Sequence, residues 1–183
     1  MIAKSSSHMS IPTSKNNFKN ALTHPVFQVI SKAAKDLNQD AFVIGGFVRD
    51  FLLERGDAKD IDIVCVGNGI DLAKKTASLL PGKPKVTTFK TYGTAMLKTD
   101  DIEVEFVGAR KESYSEDSRN PKVEQGTLED DQNRRDFTIN ALALSLNTEN
   151  YGDILDPFGG MEDLEKGIIK TPTNPDVTYS DDP

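Results

Sequence analysis

The run Asp60-Ile61-Asp62-Ile63-Val64-Cys65-Val66 constrains this chain more than any other. It reads as a strand, and strand alternation puts Asp60 and Asp62 on one face. From Ile63 to Val66 every position is apolar, so the strand enters a core directly after the acids. The two carboxylates therefore stand at the mouth of that core. Neighbouring like charges repel, and a fold that holds them together usually supplies a cation. An oxygen-only pair with no His or Cys suits Mg²⁺ better than zinc.

Ten residues before Asp60 the chain reads Gly45-Gly46-Phe47-Val48-Arg49-Asp50. A glycine pair between a strand (41–44) and a helix (47–53) lets backbone N–H groups approach a phosphate closely. Arg49, one turn into that helix, can reach back to the same anion, and Asp50 can orient it. A second dense cluster is Arg134-Arg135-Asp136-Phe137-Thr138-Ile139-Asn140-Ala141. Arginine forks match phosphate oxygens. With 138–146 read as a helix, Asp136 and Asn140 share a face and can meet ribose hydroxyls. Glu103 and Glu105 alternate along the strand 102–109, so either is a candidate third carboxylate if that strand neighbours 61–66.

The remaining elements follow from periodicity and turn residues. Val26, Val29, Ile30, Ala33, Ala34 and Leu37 form an apolar helical stripe, with Thr23 as N-cap and Pro25 in the first turn. Helices are expected over 70–80, 128–133 and 161–166, and strands over 85–90, 95–99 and 153–155. Arg55-Gly56-Asp57 reads as a turn. The polar stretch 112–126 lacks apolar periodicity and reads as a long loop. Consecutive strands without intervening helices point to an α+β fold with a mixed sheet rather than a doubly wound one.

The bulk properties limit function. The chain has 183 residues, 28% of them charged, with a net charge of −7. That excess of acid argues against this chain alone gripping a nucleic acid through its phosphates. The single cysteine, Cys65, excludes an internal disulfide and reads as a small buried hydrophobe in a reducing, cytoplasmic setting. No apolar run reaches the length of a membrane span. Residues 1–8 read as a leader, with Met9 a candidate start and 10–20 polar and flexible.

Together these motifs resemble the head domain of class II tRNA nucleotidyltransferases (CCA-adding enzymes) and of bacterial poly(A) polymerases, within the DNA polymerase beta-like superfamily. Gly45–Asp50, the pair Asp60 and Asp62, Arg134–Ala141 and Asp156-Pro157-Phe158-Gly159-Gly160 match four family motifs in order. The resemblance implies an α+β nucleotidyltransferase head over residues 21–170, with a mixed, mostly antiparallel sheet and flanking helices. It implies a two-ion Mg²⁺ site on Asp60, Asp62 and Glu105, the last counted back from Arg110. It further implies a nucleotide site formed by Gly45, Gly46, Arg49, Asp50, Arg134, Arg135, Asp136 and Asn140. ATP and CTP are the expected substrates, added to the 3′ end of tRNA. Val107-Gly108-Ala109 departs from the family's more usual Thr-Thr-Phe. The family's basic neck helix, whose Glu-Asp-x-x-Arg motif selects the base, has no counterpart before Ser180-Asp181-Asp182-Pro183. Residues 171–183 then read as an extended tail toward a neck, and tRNA would be held through domains absent from this chain. A poly(A) polymerase or a split CC- or A-adding enzyme is the alternative.

Overall fold

Seven strands form one open sheet in the order β3-β4-β5-β2-β1-β8-β9, seen in a computed structural model that describes residues 17–56, 59–113 and 122–175. The proposed leader, Asp57 of the expected turn, and the end of the tail lie outside these residues. The elements run α1 (Pro25–Asp36), β1 (Asp40–Ile44), α2 (Gly46–Leu52), β2 (Asp60–Val66), α3 (Gly69–Leu79), β3 (Val86–Phe89), β4 (Thr94–Lys98) and β5 (Glu103–Gly108). They continue with β6 (Arg110–Ser113), β7 (Lys122–Gln125), α4 (Leu128–Asn133), β8 (Ala143–Ser145), β9 (Ile154–Leu155) and α5 (Gly160–Lys166). All strand pairs in the large sheet are antiparallel except β2 with β5. A parallel pair needs a long crossover, which here is α3 followed by the β3–β4 hairpin. The fold is thus α+β with a mixed, mostly antiparallel sheet and flanking helices.

The two faces of the sheet are unequally covered. On one, Val43, Ile61, Ile63, Cys65, Leu97, Val104 and Phe106 pack against Phe27, Ile30, Ala33, Val48 and Leu72 from α1, α2 and α3. Each such Ile, Leu or Phe contributes about 1.5–3 kcal/mol on burial, so this is the principal core. On the other face a smaller cluster of Phe42, Ile44, Val64, Ala109 and Ala143 is covered by Leu128 of α4. That cover stops short of Asp60 and Asp62, which share the face with Val64 but remain exposed. Burial pushes the Cys65 thiol up to about 12, so it stays protonated and acts as a packing group.

Three expectations need correction. Residues 138–146 are not a helix: Thr138–Asn140 is a single 3-10 turn, and Ala143–Ser145 is strand β8. The stretch Ala141–Leu146 is apolar at every position but Ser145 and fits either period. The open edge of β1 decides it, since Val43 and Ile44 pair with Leu144 and Ala143 and satisfy backbone groups that would otherwise be buried unpaired. The polar stretch 112–126 is not wholly a loop either. Arg110–Ser113 pairs with Lys122–Gln125 as a two-stranded ribbon, and residues 114–121 lie outside the described residues. Finally, α1 is capped one residue later than expected, where His24 Nδ1 accepts from the Val26 N–H at 3.1 Å, with Pro25 opening the helix. Among the described residues no helix is long and apolar enough to cross a membrane.

Candidate active site

The parallel register of β2 and β5 sets the acids in rows. Asp60 lies opposite Glu103, and Asp62 opposite Glu105. All four share the uncovered face. They are not equivalent: Lys98, across from Glu103 on β4, donates to Glu103 at 2.9 Å. Glu105 has no ion-pair partner among the described residues, and its cross-strand neighbour is Met96. Glu103 is thus already neutralised by a lysine, whereas Glu105 remains available beside Asp62.

Asp62 is open to solvent yet set into a recess. The loss of hydration raises its pKa above the ordinary 3.8, Arg135 opposes that rise, and Asp60 and Asp131 add to it. A carboxylate so placed is stabilised by any cation that arrives. The donor set is oxygen only, which fits a hard divalent ion. Among the described residues no three carboxylate, histidine or cysteine groups already converge closely enough to hold a metal. The row therefore fits an ion that takes its remaining ligands from a substrate's phosphate oxygens, as Mg²⁺ does in nucleotide sites.

Gly45 joins β1 to α2 beside this row. Its φ of +79° and ψ of −132° are strained for residues with a side chain. A Cβ there would also sit 3.1 Å from Arg135 Nη1 and 3.7 Å from Asp62 Oδ2. The glycine is what lets the arginine and the acid come together over the backbone. Gly46 is under no such restriction, since its nearest neighbour would be Arg49 Nη2 at 3.7 Å. Its small size leaves the start of α2 accessible.

Arg49 is held by two partners. Its Nε and Nη2 donate to Asp50 Oδ1 and Oδ2 at 2.9 and 3.0 Å, and Nη1 donates to Asn140 Oδ1 at 2.7 Å. Asn140 Nδ2 in turn donates to both Asp136 oxygens at 3.0 and 3.1 Å. The pairing with Arg49 lowers the pKa of Asp50. The two sequence clusters, ninety residues apart, thereby become one network. Asp136 and Asn140 do meet, but across the 3-10 turn rather than along a helix.

Asp131 was not singled out from the sequence, and it organises the arginines. It is 0% exposed. Its Oδ1 accepts from Arg134 Nε and Nη2 at 3.1 and 2.7 Å, and its Oδ2 accepts from Arg135 Nε and Nη2 at 3.3 and 3.2 Å. Arg135 is aimed at Gly45 and Asp62, while Arg134 is tied to the other oxygen. The available signal was spacing: Asp131 precedes the arginines by three and four residues, helical neighbours. The Asp156–Gly160 motif is a brace. Asp156 accepts from the Gly160 and Met161 N–H groups at 2.6 and 3.0 Å, opening α5. From α5, Asp163 accepts from Thr138 Oγ1 at 2.7 Å.

This arrangement can bind a triphosphate on the arginine side of Asp62 and a cation on the carboxylate row. The sequence matches the family described as "Poly A polymerase head domain" over residues 41–170. An A-adding tRNA nucleotidyltransferase from Aquifex aeolicus is 43% identical over 78% of this chain and 17% of its own length. A CCA-adding enzyme from Anoxybacillus flavithermus is 35% identical over 84% of this chain and 36% of its own length. The chain therefore spans between about a sixth and about a third of the curated relatives it matches. A crystal structure of a tRNA nucleotidyltransferase complexed with a primer tRNA and an incoming ATP analogue superimposes with a TM-score of 0.71. It is 38% identical, over 84% of this chain and 41% of that one.

Proposed function

We propose that this chain, which belongs to the poly(A) polymerase head-domain family, supplies the catalytic centre of a tRNA nucleotidyltransferase that adds CMP and AMP from CTP and ATP to the RNA 3′ end. The observation that carries this reading is the β2–β5 register, which sets Asp62 beside an unpaired Glu105 next to an arginine held over Gly45. Arg135 and Arg49 bind the β- and γ-phosphates, with Gly46 leaving the backbone accessible to them. Asn140 and Asp136 hold Arg49 in place and meet the ribose. Arg134 shares Asp131 with Arg135 and so helps fix that carboxylate.

Asp60, Asp62 and Glu105 would hold Mg²⁺, which when bound offsets the negative charge of the triphosphate and of the attacking oxygen. The RNA 3′ oxygen attacks the α-phosphorus, the bond to the bridging oxygen breaks, and pyrophosphate leaves toward the arginines. A carboxylate of the row accepts the proton of the attacking hydroxyl. Such chemistry depends mainly on positioning and electrostatics, which suits a site built from fixed forks rather than a covalent nucleophile. A cytoplasmic setting suits the buried thiol of Cys65.

A split A-adding activity is the second reading, favoured by the name of the Aquifex relative. The test supplies the full-length protein with tRNA ending before CCA and, separately, with tRNA ending in CC, each with CTP, ATP or both, and sequences the product ends. Ordered CCA ends support the first reading. Extension with ATP alone, and only of tRNA already ending in CC, supports the second. No extension under any condition refutes both.

A further inference from the structure

Two neighbouring cross-strand rows on the uncovered face end differently. Asp62, Glu105 and Met96 form the inner row, beside Gly45, and Asp60, Glu103 and Lys98 form the outer one. Strand alternation puts both on the same face. The inner row ends in a thioether, which neither neutralises a carboxylate nor competes for a hard cation. The outer row ends in an ammonium, and Lys98 Nζ donates to Glu103 Oε2 at 2.9 Å. Asp60 acts on the same group: Glu103 first, and Asp60 after it, hold the Lys98 ammonium above its ordinary 10.5. The Lys98 side chain is 74% exposed, and so exposed an ion pair adds little to stability. Its place over the acids calls for another reason.

Spacing supplies that reason. The two rows are two residues apart, or about 7 Å along the strands. Catalytic ions that share one phosphate stand closer, about 3.5–4 Å apart. Asp60 and Glu103 are direct neighbours across the parallel pair, and two bare carboxylates there would attract a divalent ion of their own. An ion captured by that outer pair would draw Asp60 away from Asp62 and stand too far from Glu105 to act with it. The charge count favours such capture, because divalent affinity rises with the number of charged oxygen ligands. Lys98 already occupies Glu103 and places a fixed positive charge where the stray ion would sit.

We propose that Lys98 is a positioning residue for the metal site: by holding Glu103 it denies a divalent ion the outer pair and reserves Asp60 for the ion beside Asp62. It acts as a resident counter-ion, through Glu103, and touches neither substrate nor metal. The same pairing separates the two glutamates, since Glu105 faces Met96 and stays free while Glu103 does not. The inference rests on the nucleotidyl-transfer reading for which pair of acids works, but its principal readout is ion binding without turnover.

Full-length protein free of nucleotide is titrated with Mn²⁺, an oxygen-seeking ion whose unbound fraction is read from its electron paramagnetic resonance signal. Lys98→Met should bind one further Mn²⁺ per chain compared with the wild type. Lys98→Arg, which keeps a cation in place, should bind as the wild type does, and so should Lys98→Met combined with Glu103→Gln. In a transfer assay, Lys98→Met should slow at Mn²⁺ concentrations that leave the wild type unaffected, and adding Glu103→Gln should restore the rate. Unchanged Mn²⁺ stoichiometry in Lys98→Met would overturn the proposal, even if transfer is robust. A further ion that persists in the Lys98→Met plus Glu103→Gln protein would overturn it too, since Glu103 would not be its ligand. A further ion that Glu103→Gln abolishes, in a protein that extends no RNA, would keep the role of Lys98 and remove the catalytic reading.

Discussion

At the scale of single residues, the site depends on groups whose charges are held in place. Asp131 is buried between two guanidinium groups, and its removal leaves both without their carboxylate, with Arg135 keeping its bond to the Asn140 carbonyl at 3.4 Å. Breaking such a buried pair costs about 3–5 kcal/mol, so Asp131→Ala should lower the unfolding free energy obtained by urea titration by that much and weaken nucleotide binding as Arg135 loosens. The glycine pair separates two roles. Gly45→Ala meets both a positive φ and the Arg135 guanidinium, and should destabilise by about 1–2 kcal/mol. Gly46→Ala has room, so its stability should change by less than about 1 kcal/mol while KM for ATP rises, as steady-state kinetics would report. The pH dependence of Asp62 has a definite sign. Its folded-state pKa lies above the ordinary 3.8, so its contribution to stability is full below pH 3.8 and is lost as pH rises through the raised value. In EDTA, Asp62→Asn should therefore melt higher than the wild type at pH 7, with the difference closing below pH 3.8. An equal gap across the whole range would refute the cause assigned here.

At the scale of elements, the brace from α5 to the 3-10 turn carries a prediction of its own. Asp156→Ala removes the cap of α5 and should cost about 0.5–2 kcal/mol. Because Asp163 on that helix holds Thr138, amide exchange at residues 138–140 should accelerate with it, and exchange in β2 should not. This is also the scale at which the sequence was least legible. β2 was plain because two acids alternate and then the strand turns wholly apolar, and α1 because its stripe recurs at helical spacing. The pairing of β2 with β5, which brings Glu103 and Glu105 beside the aspartates, is a long-range choice that no local pattern encodes, and Lys98 then neutralises Glu103 across the β4–β5 pair. The same is true of β8. Ala141–Leu146 is apolar at both periods, and only the unpaired edge of β1 makes it a strand. Asp131 was missed because its neighbours Glu129 and Asp130 give it the look of a solvated helix face, whereas the forks of Arg134 and Arg135 hold it in the interior.

At the scale of the whole molecule, an open sheet carries a dense core on one face and a part-covered face on the other, and the uncovered part holds the acids. That division explains why motifs dispersed from Gly45 to Asn140 converge, and why an acidic chain can still present arginines beside one row of carboxylates. A cation that binds the native row and not the unfolded chain stabilises by mass action. Mg²⁺ should accordingly raise the melting temperature of the wild type and leave that of Asp60→Asn with Asp62→Asn unmoved. The most direct measurement of the central claim is single-turnover incorporation of labelled AMP or CMP into tRNA by the full-length protein, comparing wild type with Asp60→Ala plus Asp62→Ala, Glu105→Ala and Glu103→Ala. Loss of extension in the first two variants, with substantial extension kept by Glu103→Ala, is the predicted result. Extension by the Asp60→Ala plus Asp62→Ala protein at the wild-type rate would contradict it.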